Sequence, residues 1–370
     1  MNPLTAKELE HYQRHLSLRG FGETGQQQLR NSSVLVVGVG GLGCPALQYL
    51  VAAGVGKIGI IDDDLVERSN LQRQVLFDYN DIGKPKVSAA NSKLSRMNPH
   101  IQIISYFERL DLNNIEKIFD NYSVVIDGSD NFPTRFLVND ACILLDKTLI
   151  HGSIFEFTGQ VSVFNYQNGP TYRCLYGEPP SSGSLPNCSE IGVLGVLPGI
   201  VGSMLAMEAI KVITGVGHVL SGKLWLYDAL EQSSRIIKLE KDSNLPKVIS
   251  LSSHKQTCES MNKHNLPINE ISSSQCQKMI LDESYVIIDV REGWERDFNK
   301  IDPSTHIPLG HFSNPDNLEL PDFIDKDSKI IIYCKAGVRS RQACKTLSAL
   351  GYKNLFNLKG GMIEWEENIE

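Results

Sequence analysis

The sequence predicts an α/β protein of two domains, a doubly wound, mostly parallel sheet followed by a smaller α/β unit. Three observations predict it. Short aliphatic runs alternate with helical stretches through the first part of the chain. The first run, Val34 to Val37, feeds directly into Gly38-Val-Gly40-Gly41-Leu-Gly43. From Lys241 to Asn269 the composition turns to Ser, Lys, Asn, His and Pro with little apolar periodicity, the mark of a linker, and regular elements resume beyond it.

Length and composition set the bounds. At 370 residues the chain is too long for one ordinary core, so two domains are expected. With 41% hydrophobic and 21% charged residues it reads as soluble and globular. A net charge of -7 argues against a general nucleic-acid binder. The first twenty residues hold no apolar core followed by a cleavage signal, so no secretory targeting is expected. Eight cysteines without a compact spacing framework point to reduced thiols in a cytoplasm. The nearly uncharged stretch Ile191 to Ile210 is long enough to span a bilayer, but Gly195, Pro198, Gly199 and Gly202 interrupt it. A buried loop and helix is the expectation, with no membrane association.

Leu9 to Leu16 reads as a short amphipathic helix carrying Arg14, a solvated charge on local grounds. Val34 to Val37 suits a buried parallel strand. Its glycine turn lets backbone approach a phosphate, and the amides opening the next helix, Pro45 to Ala53, would face the anion. A second strand, Ile58 to Ile61, ends at Asp62, nineteen residues past Gly43, where a carboxylate can accept from ribose hydroxyls. Lys86 to Met97 is a helix stopped by Asn98-Pro99. Ile101 to Tyr106 and Val124 to Ile126 are further strands, the latter running into Asp127-Gly-Ser-Asp130-Asn131. Asp130 at the carboxyl end of a strand can reach a nucleotide or metal, or can cap the helix before Pro133.

Thr148 to Ile154 and Gln160 to Phe164 are later strands, and a glycine- and proline-rich loop from Gly169 leads to Cys188. That cysteine is either an accessible nucleophile or a small buried hydrophobe. Leu224 to Asp228 and Ile236 to Leu239 close the first unit. Beyond the linker, Ser272 to Leu281 is helical and Tyr285 opens a strand that runs into charged residues. Lys329 to Tyr333 is a second strand, ending at Cys334-Lys-Ala-Gly-Val-Arg339, with a helix from Arg341 to Leu350. A cysteine opening such a loop faces amides and the positive end of a helix, with Arg339 adding charge. The cradle suits a thiolate, a persulfide or an oxyanion.

These residues together resemble known families. GxGxxG alone is shared with NAD dehydrogenases. Combined with Asp62-Asp63-Asp64, Ser69-Asn70-Leu71-Gln72-Arg73-Gln74, Gly83-Lys-Pro-Lys86 and Asp127-Gly-Ser-Asp130-Asn131, it resembles the MoeB/ThiF/HesA adenylyltransferases, relatives of the ubiquitin-activating enzymes with a Rossmann-like sheet. Residues 1–245 carry that resemblance, 246–267 form the linker, and 268–370 resemble a rhodanese domain. The resemblance implies that Gly38, Gly40, Gly41 and Gly43 form the phosphate turn and Asp62 binds ribose. Asn70, Arg73 and Lys86 would contact the triphosphate of ATP, and Asp130 would position magnesium. Arg14, in Tyr12-Gln-Arg14-His-Leu, matches an arginine donated across a dimer interface, which implies a homodimer. Cys188 aligns with a loop cysteine that attacks the adenylate or takes part in sulfur transfer, and Cys334 with Arg339 matches the persulfide-carrying loop. The loop is one residue too short for a Cys-x5-Arg phosphatase, since position 340 is Ser.

The implied reaction is adenylation of the C-terminal glycine of a ubiquitin-like sulfur carrier protein, then sulfur transfer to give a thiocarboxylate. The sulfur would come from a persulfide donor such as a cysteine desulfurase. The carrier could serve molybdopterin synthesis, thiamine synthesis or tRNA thiolation. The competing readings are an adenylating tRNA-modification enzyme, an NAD-dependent oxidoreductase and a noncatalytic scaffold. Many family members hold zinc with two Cys-x-x-Cys pairs, but here Thr171 and Cys174 occupy the first. No cysteine lies between Cys188 and Cys258, so no zinc is expected.

Overall fold

Runs of Val and Ile become central strands here because both of their faces are covered. The computed structural model describes residues 3–178, 192–245, 248–251, 268–282, 284–313, 318 and 320–368. It divides into two units, Met1–Gln256 and Thr257–Glu370. In the first, β1 (Ser33–Val37), β2 (Lys57–Ile61), β3 (Gln102–Tyr106), β4 (Val124–Asp127), β5 (Thr148–Phe155), β6 (Thr158–Phe164), β7 (Lys223–Asp228) and β8 (Ser233–Lys238) form one sheet. Its order is β3-β2-β1-β4-β5-β6-β7-β8. Neighbours from β3 to β5 run parallel, and β6 to β8 extend the sheet antiparallel.

Alternation along β1 serves two cores. Val34 and Val36 pack with Ile58, Ile60 and Leu47 on one face, while Leu35 and Val37 pack with Val125, Phe119 and Phe136 on the other. The apolar helix Val196–Thr214 belongs to the first core. By length and composition it could cross a membrane, yet Leu197, Val201, Leu205 and Ala209 are fully buried in the protein. Close approach explains one of its glycines. A Cβ on Gly202 would lie 2.4 Å from Leu42 O and from Pro45 Cγ.

Where the elements differ from the sequence reading, packing supplies the reason. The expected N-terminal helix breaks in two, Ala6–His11 and Gln13–Leu16, around the buried Tyr12, whose hydroxyl accepts from Asn98 Nδ2 at 2.8 Å. Strand β8 starts at Ser233, three residues before Ile236, because the hairpin register pairs Ser233 with Asp228 whatever the polarity of the side chains.

The second unit is a five-stranded sheet of β9 (Asn269–Ile271), β10 (Tyr285–Asp289), β11 (Thr305–His306), β12 (Lys329–Tyr333) and β13 (Asn354–Leu358). The order is β11-β10-β12-β13-β9 and every described pairing is parallel. Ile330 and Ile332 of β12 face one core, Ile331 and Tyr333 the other. A C-terminal helix, Gly361–Glu367, closes over the end of β12: Met362 N donates to Cys334 O at 2.9 Å and Ile363 N to Lys335 O at 3.1 Å.

The tightest backbone approach in the nucleotide turn yields a first prediction. A Cβ on Gly43 would stand 2.0 Å from Gly38 O. Gly43→Ala is expected to destabilise the first unit by about 1–3 kcal/mol. In calorimetry this appears as a lowered first transition, and an unchanged melting profile would refute the packing argument.

Candidate active sites

The glycine turn is built by what its residues lack. Gly38 has φ +87°, and a Cβ there would meet Gly128 O at 3.2 Å, so the loops after β1 and β4 lie against each other. Gly128 N donates to Val37 O at 3.0 Å, fastening the two strand ends. The following helix, Gly43–Ala53, starts two residues before the expected Pro45 because Gly43 tolerates the contact with Gly38. Asp62, at the end of β2, reaches under the turn: its Oδ2 accepts from Val39 N at 2.7 Å and its Oδ1 from Asp64 N at 2.8 Å. Burial raises the Asp62 carboxyl above the ordinary carboxylate range, against the pull of Lys86.

The charged residues named from sequence gather around this turn. Lys86 is buried, and its Nζ meets the exposed Asp64 Oδ2 at 2.6 Å. Asn70 is buried; its Oδ1 accepts from Glu67 N at 3.1 Å, and its carbonyl accepts from the amides of Arg73 and Gln74. Arg73 donates to Ser69 O at 3.0 Å, and its Cγ lies 3.6 Å from where a Gly41 Cβ would sit. The thiol of Cys44, pushed up to about 12 by burial, also feels Lys86, Asp62 and Arg73. Gln74 was quoted in the sequence without a role. Its Nε2 lies 4.0 Å from the open side of Gly40, and its Oε1 is buried without a hydrogen-bond partner among the described residues. A glycine-rich turn, a buried ammonium and the guanidinium of Arg73 fit a nucleotide phosphate chain.

The loop after β4 is clamped from below. Asp127 is fully buried: its Oδ1 accepts from Ser129 N at 2.9 Å, and its Oδ2 lies 3.0 Å from His151 Nδ1 on β5. Burial opposes its charge, but the bond from His151 holds the Asp127 carboxyl below its usual range. Burial also keeps the His151 pKa low, so a neutral ring donates from Nδ1. Arg135 donates from Nε and Nη2 to Ser129 O at 3.3 and 3.1 Å. Asp130 sits exposed at the apex, with the Asn131 amide 3.4 Å from its Oδ1. It is not the helix cap. Asn131 fills that role, accepting from Thr134 N at 3.0 Å at the start of Phe132–Leu144. Nothing local in the sequence couples Asp127 to His151, twenty-four positions on.

Arg14 is exposed on Gln13–Leu16. Cys188 lies outside the described residues. Cys174 has its Sγ 3.3 Å from the donating Thr171 N.

The second site is the loop at the end of β12. Cys334 is buried, and its Sγ accepts from Gly337 N at 3.1 Å and Ser340 Oγ at 3.4 Å. Gly337 has φ +84°, with Leu358 O and Gly360 N each 3.0 Å from any added Cβ. The following helix, Val338–Ala349, begins three residues before the expected Arg341, so Val338, Arg339 and Ser340 form its first turn. Arg339 does not spend its hydrogen bonds on the sulfur; Nη1 and Nη2 donate to Glu295 Oε2 and Oε1 at 2.6 and 2.7 Å. Glu295 escaped the sequence reading because it lies forty-four positions upstream.

Comparisons with known proteins identify both units. The ThiF family matches residues 12–247 and the rhodanese-like domain residues 272–368. The probable adenylyltransferase/sulfurtransferase MoeZ of Mycobacterium tuberculosis is 40% identical over 377 aligned positions, covering 99% of this chain and 95% of that protein. The sulfur carrier protein adenylyltransferase of Thermus thermophilus is 49% identical over 247 positions, covering 65% of this chain and 91% of the relative. Among solved structures, E. coli MccB with ATP superimposes at a TM-score of 0.57 and 20% identity, covering 66% of this chain and 75% of that one, a likeness of fold. The chain belongs to the ThiF family and carries a rhodanese-like domain as its C-terminal unit.

Proposed function

We infer that this protein is an ATP-dependent adenylyltransferase that activates the C-terminal glycine of a ubiquitin-like sulfur carrier protein, and that its rhodanese-like unit supplies sulfur to form a thiocarboxylate. The observation that carries the reading is the convergence of Lys86, Arg73 and Asp62 on a glycine-rich turn, in one chain with a cradled Cys334.

In the first step a carrier carboxylate oxygen bonds to the α-phosphorus of ATP, and pyrophosphate leaves with the electrons of the broken P–O bond. The attacking group is already ionised, so no base is required and positioning dominates. Asp62 orients ribose from beneath the turn, while Lys86, Arg73 and Asn70 hold the triphosphate and offset its charge. Asp130 is the residue proposed to hold magnesium, since its oxygens are exposed and Asp62 is committed to two amides. Magnesium, when bound, neutralises phosphate charge there. Arg14 would enter from a second copy, which makes a homodimer the working unit.

Sulfur arrives when the Cys334 thiolate takes the terminal sulfur of a donor persulfide, supplied for instance by a cysteine desulfurase, and the donor thiolate leaves. That terminal sulfur then bonds to the carrier's acyl carbon and AMP departs. Cys188 is the candidate thiol to attack the Cys334 sulfur, releasing the thiocarboxylate and leaving a disulfide for an external thiol to reduce. Such chemistry calls for a reducing compartment, and a cytoplasmic location is proposed on that ground. Zinc has no part in it; Cys174 is proposed to be structural.

Intact mass of sulfur carriers from molybdopterin, thiamine and tRNA-thiolation systems, incubated with the protein, ATP, magnesium and a persulfide donor, tests the reading. An ATP-dependent thiocarboxylate that is lost in Cys334→Ala, with adenylation retained, is the expected result. An adenylated carrier that never gains sulfur would remove the sulfur-transfer half. Absence of any adenylate, with tRNA binding or NAD reduction in its place, would overturn the whole.

Lys86→Met should lower ATP–pyrophosphate exchange by roughly 10²–10³-fold. Sulfur loading on Cys334 should be untouched, and parallel loss of both activities would mean unfolding rather than lost charge. Mixing Arg14→Ala and Asp130→Ala proteins in equal amounts should restore about a quarter of wild-type adenylation, from mixed dimers with one intact site. No recovery after subunit exchange would place Arg14 outside the site.

A further inference from the structure

The Cys334 loop brings a guanidinium to the first turn of its helix, and a carboxylate from another element claims it. Glu295 receives both terminal nitrogens of Arg339 at 2.6 and 2.7 Å. Glu295 is itself fixed. Its Oε2 accepts the Glu292 amide at 3.0 Å, closing the capping box of helix Gly293–Phe298, and its backbone carbonyl accepts from Arg291. The pair is sheltered, with side-chain exposures of 9% for Glu295 and 20% for Arg339. A bidentate bond between groups so held keeps its geometry. Burial opposes the charge on Glu295, yet the Arg339 bonds keep its carboxyl below the ordinary range, and Arg339 is raised in turn.

The consequence is a loop whose built-in cation is offset by a carboxylate. Among the described residues the sulfur is hydrogen-bonded by one amide, from Gly337, and one hydroxyl, from Ser340, while Arg339 acts on it only through space and Lys335 is exposed beside them. A small dianion approaching a thiolate needs compensating charge, because it brings no other binding energy. A donor protein carrying a persulfide brings its own surface and at most one charge to the sulfur.

We propose that Glu295 is a specificity-determining residue of the sulfur-loading step: by neutralising Arg339 it disfavours thiosulfate and reserves the Cys334 loop for protein-bound persulfide. The inference rests on the sulfur-transfer reading above. Both reactions are the same displacement at sulfur. With thiosulfate the Cys334 thiolate bonds to the outer sulfur and sulfite leaves with the S–S electron pair; with a persulfide the donor thiolate leaves. Only the charge of the leaving partner differs.

The test is thiosulfate–cyanide sulfurtransferase kinetics on the full chain. Wild type, Glu295→Gln, Arg339→Gln and the double variant are compared. Glutamine keeps an acceptor for the helix cap while removing the charge. Glu295→Gln should lower KM for thiosulfate roughly tenfold at low ionic strength, with the gain shrinking in about 0.5 M salt. Arg339→Gln alone leaves Glu295 unopposed and should raise KM by roughly threefold or more, whereas the double variant, again without net charge at the pair, should return near the wild-type KM. An unchanged or raised KM in Glu295→Gln overturns the proposal. So does a double variant whose KM stays as high as that of Arg339→Gln, since Arg339 would then be serving thiosulfate directly; an unchanged or lowered KM in Arg339→Gln overturns it even where Glu295→Gln fails to fold. A wild-type chain that gains no sulfur on Cys334 from any donor would overturn the underlying sulfur-transfer reading. A wild type that loads, beside a silent Glu295→Gln, would overturn only the specificity assignment.

Discussion

Backbone against backbone at the end of β1 is the constraint on which the first unit depends. The carbonyl of Gly38 occupies the space where a side chain on Gly43 would begin, and the loop after β4 closes on Gly38 from the other side. These contacts bring three strand ends within reach of one another. Asp62 from β2 can then bond to Val39, and Asp130 can stand at the apex of its loop. A doubly wound sheet reverses direction between β1 and β4, and ligands gather at such a crevice. Chemistry is possible there because the polar groups lining it are fixed before any ligand arrives.

Fixing is done throughout by paired polar groups, in two cases of opposite charge. Lys86 is buried against Asp64, Asp127 is held by His151 and the Ser129 amide, and Arg339 is gripped by Glu295. The three differ in purpose. Asp64 is exposed, so it can turn to solvent and leave the buried Lys86 to a phosphate, the ammonium keeping an anionic partner throughout. Asp127 and His151 are both inside, where losing one partner strands the other, so they serve as a permanent footing for the loop that bears Asp130. Glu295 lies between these cases: sheltered, doubly bonded and tied to a helix cap, it subtracts a charge from its site.

How much of this was legible in the sequence follows from the range of each interaction. Strands β1, β2, β4, β10 and β12 were legible because parallel strands covered on both faces need unbroken Val and Ile runs. Strand β11 has two residues and β9 three, while β13 interleaves Asn with Leu and Phe, so none carries a periodic signal. The nucleotide site was readable since glycines, Asp62 and Lys86 act through local geometry and a recognisable combination. Its footing was not, because Asp127 meets His151 only through the pairing of β4 with β5. Arg339 was read as serving the nearest sulfur, and tertiary packing gave it to a helix forty-four residues away.

The burial of Cys334 bears on why sulfur would travel as a persulfide. With its side chain enclosed and its Sγ held by Gly337 and Ser340, the thiol offers little surface of its own. A second sulfur adds a bond of about 2.05 Å beyond Sγ and moves the reactive atom outward by that amount. The outer atom can meet an acyl carbon while the inner one remains with its donors. The same amide and hydroxyl favour the Sγ thiolate that opens loading and the one regained when an external thiol reduces the disulfide with Cys188. One cradle thereby serves the start and the end of the cycle, because the thiolate that attacks and the thiolate that is regenerated are the same atom.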